Sequence, residues 1–459
     1  AGAPHRRACR TGQGGKEDAG EKHTSWMGGN TDVASRRSGI VTVLDVGSSK
    51  VCCVIARLRP RGESPILRAR THEVQVIGIG HQKSQGVKSG VIIDLDRAEH
   101  AIRLAVDAAE RMAGLTVDSL IVNLTAGRLR SEVFSASINL GGHETDGADI
   151  KRVLGAGAKQ ALKADREVVH SLPVAFSLDG ERGIRDPRGM VGDALGVDMH
   201  VLTGDSAPLR NLELCINRSH LSVERMVATP YASGLAALVD DELEMGAACI
   251  DLGGGTTTIS VFSDGKFVHG DAIPVGGSHV TMDLAKGLST RIEHAERLKV
   301  MHGSALPGSA DDRDLVTVQP MGHEDGEVPL QVPRSVMTRI VRARVEETLE
   351  LLRDRLGKSG YGNAVGKRVV LTGGASQLAG LPEAARRILG RNVRIGRPLG
   401  VAGLPEAAKG PAFSTAVGLL IYPQVASFES RQGNAMSRLK MTGTGGRLDR
   451  MSQWLRDSF

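Results

Sequence analysis

Aromatic residues make up only 3% of the 459-residue chain, with seven Phe, three Tyr and two Trp. Strand faces for stacking nucleobases are therefore not expected. The five cysteines, Cys9, Cys52, Cys53, Cys215 and Cys249, fall in no metal-ligand spacing. Cys52, Cys53 and Cys249 lie in predicted strands, where a free thiol behaves as a small apolar side chain, as in a reducing cytoplasm. No apolar run approaches the roughly 18 residues of a spanning helix, and no signal-peptide core follows the basic start. An integral membrane protein is thus not expected. The net charge of +6 is dispersed without a basic stripe, and no nucleic-acid partner is expected. What remains is the composition of a globular protein: 41% hydrophobic, 24% charged, and long enough for several domains.

Glycine is not scarce, and its placement organises the chain. Ala248 to Phe262 reads as an apolar run ending in Asp251, then Gly253-Gly254-Gly255, then Thr256-Thr257-Thr258, then a second β-rich run. Consecutive glycines let backbone N–H groups close on a ligand with no side chain in the way. Such a concave array of amides binds anions, and an adjacent aspartate can hold Mg²⁺ through water. A single loop of this kind could equally be a plain turn between strands.

A second copy decides between those readings. In Val43 to Ala56, Asp45 stands where Asp251 stands and Gly47 where Gly253 stands, followed by Ser48, Ser49 and Lys50. Lys50 adds a cation that the later loop lacks. Two strand–Asp–x–Gly–small–small–strand hairpins imply two similar lobes clamping one nucleotide, with Asp45 and Asp251 facing its Mg²⁺. These residues resemble the two phosphate loops of the actin-like ATPases. A third glycine motif, Gly373-Gly374-Ala375 after the strand Arg368–Thr372, resembles the adenosine loop of that superfamily. Glu296 and Lys299 match the Glu–x–x–Lys helix that the superfamily places over ribose and base, although an i,i+3 surface ion pair has the same spacing.

Residues 1–37 have no apolar period and are expected to be a disordered extension. The first lobe is expected over 38–96 and 181–222, with the chain returning to it near 400–423. Leu95 to Ala113 repeats apolar positions at helical spacing, and Ser119–Leu124 is strand-like. A compact α/β subdomain is expected as an insertion over 97–180. Its His170, alone at a strand end, reads as a packed or surface histidine rather than a ligand. Gly78-Ile79-Gly80 lacks the third glycine of a dinucleotide loop and carries no such meaning. The second lobe is expected over 223–423, with an outer part at about 276–335. A helix from Tyr231 to about Leu243 and a long one from Val336 to a stop at Gly357 are predicted within it.

The tail has a different character. Residues 424–446 read as a flexible linker and 447–459 as an amphipathic helix. Leu448, Met451, Trp454, Leu455 and Phe459 lie on or beside one face, with Arg447, Arg450 and Arg456 at its margins or opposite. Such a segment suits the membrane interface. A helix docked on the protein's own core would have a similar pattern. Five partly buried side chains at roughly 1–1.5 kcal/mol each, less ordering costs, hold a monomer only weakly. A polymer would gain by avidity, so the tail predicts self-assembly as well.

Taken together, residues 38–459 resemble the FtsA family of bacterial cell-division proteins. The likeness rests on the three glycine loops, on Lys299 to Leu306, on Arg394 to Pro398, on Ser414 to Leu420, and on the terminal Trp-Leu-Arg segment. It implies an actin-like (ribonuclease-H-like) two-lobed α/β fold with duplicated domains and an inserted α/β subdomain. It also implies ATP or ADP with Mg²⁺ as cofactor and filaments of the protein itself. The implied role is a tether that joins FtsZ, through its C-terminal tail, to the cytoplasmic membrane at the division site. That tail would dock around the helices between Gly276 and Val300, and later divisome proteins would be recruited, the insertion serving such contacts. One departure concerns hydrolysis. MreB and the chaperones carry an acidic residue before the proline preceding the second phosphate loop, and here Thr229 precedes Pro230. A side chain that orients water is most of what such a site supplies, so at most slow ATP hydrolysis is expected. Rival readings are an actin-fold small-molecule kinase, for which no acceptor-site base is found, and a pilus-assembly ATP-binding adaptor.

Overall fold

The computed structural model describes residues 39–426 apart from 62–66, 68–69, 126–127, 161–164, 322–328 and 363–364. The expected extension at 1–37 and the terminal helix at 447–459 lie outside the described residues, as does most of the linker.

The chain begins with a meander of β1 (Gly39–Val46), β2 (Lys50–Pro60) and β3 (His72–Lys83), followed by a small ribbon of β4 (Val87–Lys88) and β5 (Val91–Ile92). Helix α1 (Leu95–Ala113) starts on an Asp94 cap, whose carboxylate accepts from the Arg97 N–H, and ends on Gly114 in the left-handed region. Its Ala98, Ile102, Ala105, Val106 and Ala109 stripe is buried. Gly78 and Gly80 lie where α1 presses on β3: a β-carbon would fall 2.3 Å from the Ala109 carbonyl oxygen at Gly78 and 1.8 Å from that of Ala105 at Gly80. Their role is close packing. Strand β6 (Ser119–Leu124) then pairs in parallel with β1.

An inserted unit follows: β7 (Arg130–Asn139), α2 (Gly147–Gln160), β8 (Arg166–Leu178), β9 (Glu181–Ile184) and β10 (Ala194–Asp205) form their own sheet in the order β7-β10-β8-β9. This corrects the expected boundaries of 97–180. Helix α1 and β6 belong to the first lobe because β6 is hydrogen-bonded to β1 and α1 covers β2 and β3. Residues 194–205, expected back in the first lobe, form the inserted sheet's central strand, paired with β7 over ten residues. Alternating exposure along β7 shows a sheet covered on one face, by α2.

Helix α3 (Ser206–Arg218) and β11 (Ser222–Ala228) complete the first lobe. The second contains α4 (Thr229–Ala237), α5 (Asp240–Met245), β12 (Ala247–Leu252), β13 (Thr257–Ser263), β14 (Lys266–Ile273), α6 (Gly277–Gly287) and α7 (Ile292–His302). It continues through the ribbon β15 (Leu315–Val318) and β16 (Leu330–Pro333), then α8 (Arg334–Lys358), β17 (Arg368–Thr372), α9 (Leu381–Leu389) and β18 (Asn392–Ile395). Finally β19 (Val401–Ala402) pairs with β3, and α10 (Ser414–Val425) packs among the first lobe's buried residues. Two helix boundaries differ from expectation. Leu238 and Val239 are extended, which splits the predicted 231–243 helix in two. Gly357 lies inside α8, whose last turn continues to Lys358.

The two main sheets repeat one plan. The first runs β11-β6-β1-β2-β3-β19 and the second β14-β13-β12-β17-β18. In each, three antiparallel strands are extended by two parallel ones on the side of the first strand. Register repeats too: Asp45 pairs with Cys52, and Asp251 with Thr258. The fold is the actin-like one, with duplicated α/β domains and an α/β insertion.

Candidate functional site

Both hairpin turns close in the same way. The Gly47 N–H donates to the Lys50 carbonyl at 2.9 Å, and the Gly253 N–H donates to the Thr256 carbonyl at 2.9 Å. The turns abut. A β-carbon on Gly254 would lie 3.0 Å from Ser49 Cβ and Oγ, and one on Gly255 would lie 2.6 Å from Ser48 Oγ. Ser48 in turn accepts the Gly90 N–H at 3.1 Å, which ties the first turn to the β4–β5 ribbon.

The two aspartates at the strand ends are buried, and burial raises both carboxyls above the ordinary carboxylate range. For Asp45 the nearby Lys50 ammonium opposes that rise. For Asp251 the hydroxyls of Ser233 and Thr415 oppose it, while the charge of Asp45 adds to it. Ser233 donates to Asp251 Oδ2, and Thr415 donates to the same oxygen at 3.0 Å. Two carboxylates that feel each other at buried strand ends form a site that favours a cation.

Lys50 does not stand free. Its ammonium donates to the Ala412 carbonyl at 2.5 Å and to Asp45 Oδ2 at 3.4 Å, and lies 4.1 Å from the centre of the Phe413 ring. The turn before α10 thus holds the one basic residue of the two hairpin bends.

Behind the second turn, the start of α6 is pinned to loop carbonyls. The Gly277 N–H donates to Gly253 O at 2.9 Å, and the Ser278 N–H to Gly254 O at 2.8 Å. Lys299 of α7 reaches the same place, donating to Gly277 O at 3.2 Å, to Thr281 Oγ1 at 2.9 Å and to Glu296 Oε2 at 2.7 Å. A β-carbon on Gly277 would stand 3.0 Å from Ala375 Cβ and 3.7 Å from Lys299 Nζ. The third motif begins at Gly373, whose φ of 85° requires glycine and whose absent β-carbon would strike Asp251 Oδ1 at 2.2 Å. Gly374 and Ala375 follow in a short 3₁₀ turn rather than at the start of a long helix. Glu296, Lys299, Gly373, Gly374 and Ala375 are therefore gathered beside Asp251 and Gly253. Thr257 is engaged behind the turn, its hydroxyl on Val275 O at 2.7 Å. Thr256 lies at the turn's end, beneath Gly253.

Several residues that the sequence reading missed brace this arrangement. Asn123 Oδ1 accepts the Val46 N–H at 2.7 Å, and its amide donates to Thr229 Oγ1 at 3.3 Å. Thr229 is also 2.6 Å from Thr125 Oγ1. Asn123 could have been noticed as the polar interruption of an otherwise apolar parallel strand, Leu120 to Leu124. Thr415 had no local signal, because its partner Asp251 is 164 residues away. His170 is structural: its Nε2 accepts the Ala228 N–H at 2.9 Å, and its ring meets Tyr231 edge-on.

The donor set suits a nucleotide with its metal. Glycine positions would be filled by any β-carbon, carboxylates converge at two strand ends, and the buried Thr258 hydroxyl opposite Asp251 has no hydrogen-bond partner. Among the described residues there is no cluster of three or more His, Cys, Asp or Glu that would hold a bare metal ion. No helix among them is long and apolar enough to cross a membrane.

Comparison with known proteins is consistent across the chain. Residues 248–418 match the family model described as cell division protein FtsA, and 126–203 match the one described as the SHS2 domain inserted in FtsA. The chain is 67% identical over 425 residues to the cell division protein FtsA of Rhizobium meliloti, covering 93% of this chain and 96% of that one. It is 29% identical over 428 residues to the FtsA of Escherichia coli K12, covering 92% and 98%. Among solved structures, a PilM–PilN type IV pilus biogenesis complex aligns with a TM-score of 0.56 at 14% identity, over 84% of this chain and 98% of that one. That last likeness concerns the fold alone.

Proposed function

This chain belongs to the FtsA family of cell-division proteins, and from that premise we propose that it is an ATP-binding assembly switch that tethers FtsZ filaments to the membrane. The observation that carries the reading is the abutment of the two equivalent turns, Ser48 and Ser49 against Gly254 and Gly255, beneath the buried pair Asp45 and Asp251.

In this reading the first bend, Gly47, Ser48 and Ser49, and the second, Gly253 to Thr257, cradle the phosphates with amides other than those of Gly47 and Gly253, which close the turns. Asp45 and Asp251 hold Mg²⁺ through water, and Glu296, Lys299, Gly373, Gly374 and Ala375 line the adenosine. When bound, Mg²⁺ would neutralise phosphate charge, and Asp45 from the first lobe and Asp251 from the second would be the residues that hold it. Lys50 reaches a phosphate by leaving Ala412, which makes the turn before α10 sensitive to occupancy. Thr229 has a hydroxyl already shared with Asn123 and Thr125 and no charge to polarise water, so hydrolysis is slow and binding governs assembly.

The membrane and its partners occupy other surfaces. The segment with Leu448, Met451, Trp454, Leu455 and Phe459, and with Arg447, Arg450 and Arg456, lies on the cytoplasmic face of the membrane. Many copies in a filament make the attachment firm. The FtsZ tail docks near α6 and α7, where Met282, Ile292, Val300 and Met301 are exposed. The inserted sheet recruits later divisome proteins.

The test is co-sedimentation with anionic vesicles, using the full chain and a chain ending at Gly446, each with and without ATP and Mg²⁺, then with FtsZ added. The expected result is tail-dependent pelleting that rises with ATP and carries FtsZ down. Equal pelleting of the two chains would remove the tail's role. Pelleting indifferent to ATP would remove the switch.

A further inference from the structure

The inserted unit and the second lobe meet at a cleft that none of the assignments above uses. It has a volume of about 370 Å³. One wall comes from the insertion, with Val174 of β8 and Ile184 and Arg185 at the end of β9. The other comes from Lys266 and Val268 of β14 and from Tyr361 beyond α8. None of these residues belongs to the two hairpin bends with Asp45 and Asp251.

The charge in this cleft is unbalanced. Lys266 is half-buried and donates to the Val174 carbonyl at 2.5 Å, a bond that crosses the junction. Burial lowers its pKa from the ordinary lysine value; the nearby Asp264 carboxylate opposes that shift and the Arg185 guanidinium reinforces it. Among the described residues neither Lys266 nor Arg185 has a carboxylate in ion-pair range, although Asp264 also lines the cleft and leaves it one positive charge in excess. Two cations, one of them half-buried, therefore flank a space also lined by apolar side chains and by Tyr361.

We propose that this cleft is a binding site for a small organic anion. Its phosphate or carboxylate is held by Arg185 and Lys266, and its apolar or planar body lies among Val174, Ile184, Val268 and Tyr361. A guanidinium offers a fixed fork of donors to such a group, and the ammonium adds a point charge. The volume falls at the lower end of small-molecule sites, which run from about 300 to 1,000 Å³, and it is too small for a folded partner. Because the two cations come from different units, occupancy fixes the insertion against the second lobe.

The experiment uses the full chain saturated with ADP and Mg²⁺, so that the hairpin bends do not compete for phosphate. Phenyl phosphate, phenylacetate and inorganic phosphate are titrated separately by calorimetry. One site per chain is expected, with phenyl phosphate at least about ten-fold tighter than inorganic phosphate. A preference for phenylacetate over phenyl phosphate would assign the site to carboxylates. Arg185→Ala, at an exposed position that the fold does not need, should weaken binding at least about ten-fold, and Lys266→Met should do the same. Tyr361→Ala should weaken phenyl phosphate while leaving inorganic phosphate unchanged. Absence of saturable binding up to about 10 mM, or unaltered affinity in Arg185→Ala, overturns the proposal.

Discussion

Gly418 of α10 meets Ala232 of α4 with no room for a side chain between them. A β-carbon on Gly418 would lie 1.8 Å from the Ala232 carbonyl oxygen and 2.3 Å from its carbonyl carbon. These two helices carry the site's concealed supports, Ser233 on α4 and Thr415 on α10, both directed at Asp251.

Gly418→Ala should therefore destabilise the fold by about 3 kcal/mol, because the obstacle is backbone that cannot turn aside. Gly357→Ala provides the control. Gly357 lies inside α8 with nothing within 4 Å of a would-be β-carbon, so the same change should stabilise by roughly 0.5–1 kcal/mol through helix propensity. Urea unfolding of both variants reads the two signs. A neutral Gly418→Ala would mean that the helices do not cross at that spacing.

The contact between the turns leads to a second expectation. Gly255→Ala puts a methyl group 2.6 Å from Ser48 Oγ and 3.1 Å from the Ser89 backbone nitrogen, wedging the first turn away from the second. Affinity for a fluorescent ATP analogue should fall at least about ten-fold. Stability without nucleotide should change by no more than about 1 kcal/mol, since the methyl group meets Ser48 and Ser89 rather than an apolar core residue. Unchanged affinity would show that the turns do not act together on one ligand.

The paired hairpins were legible in the sequence because a turn of this kind is a local object. Asp45 with Gly47, and Asp251 with Gly253, announce themselves within a few residues. Helix α1 was legible for the same reason, from one apolar stripe between Asp94 and Gly114. Strand β10 was misplaced because membership of a sheet depends on pairing. Its Ala194–Asp205 run carries no mark saying that β7 and β8, rather than β1, will flank it. The supports of Asp251 were hidden for the same cause, since Ser233 and Thr415 reach it across 18 and 164 residues. Position 357 shows the converse: glycine is a weak stop signal, and tertiary packing of α8 carried the helix one residue further.

Acid should unfold the junction between insertion and second lobe through His200. The ring is fully buried and holds Phe267 O at 2.9 Å on Nδ1 and Ser131 Oγ at 2.5 Å on Nε2. Burial lowers its pKa to about 3, with the Phe267 carbonyl opposing and His269 and His170 adding to the shift. The folded state thus keeps His200 neutral while the unfolded chain protonates it near pH 6.5. Stability from this residue is complete above about pH 6.5 and is lost as pH falls towards 3, by up to about 1.4 kcal/mol per pH unit. His200→Gln should flatten that part of the stability profile measured by thermal melting from pH 7 to pH 4. An unchanged slope would show that some other group titrates there.

Asp251 supplies the opposite sign and sets stability against function. Burial raises its carboxyl pKa above 3.8, so over the interval above that value the folded state holds a proton that the unfolded chain has released. Stability then falls as pH rises through this interval, because the folded state must either keep the proton or bury a charge. Asp251→Asn removes that charge and keeps an oxygen to accept from Ser233 and Thr415. Without nucleotide the variant should melt above the parent at pH 7, and the gap should close as pH is lowered to about 4. With ATP and Mg²⁺ the order should reverse. The parent gains stability as ligand exceeds its dissociation constant, about 2.7 kcal/mol at a hundred-fold excess, whereas the variant, lacking the carboxylate that faces the cation, gains little. Melting curves at pH 7 with and without ATP and Mg²⁺ decide the matter. A variant less stable than the parent without nucleotide, or equally stabilised with it, would mean that Asp251 is placed for the fold and not for a metal-bound phosphate.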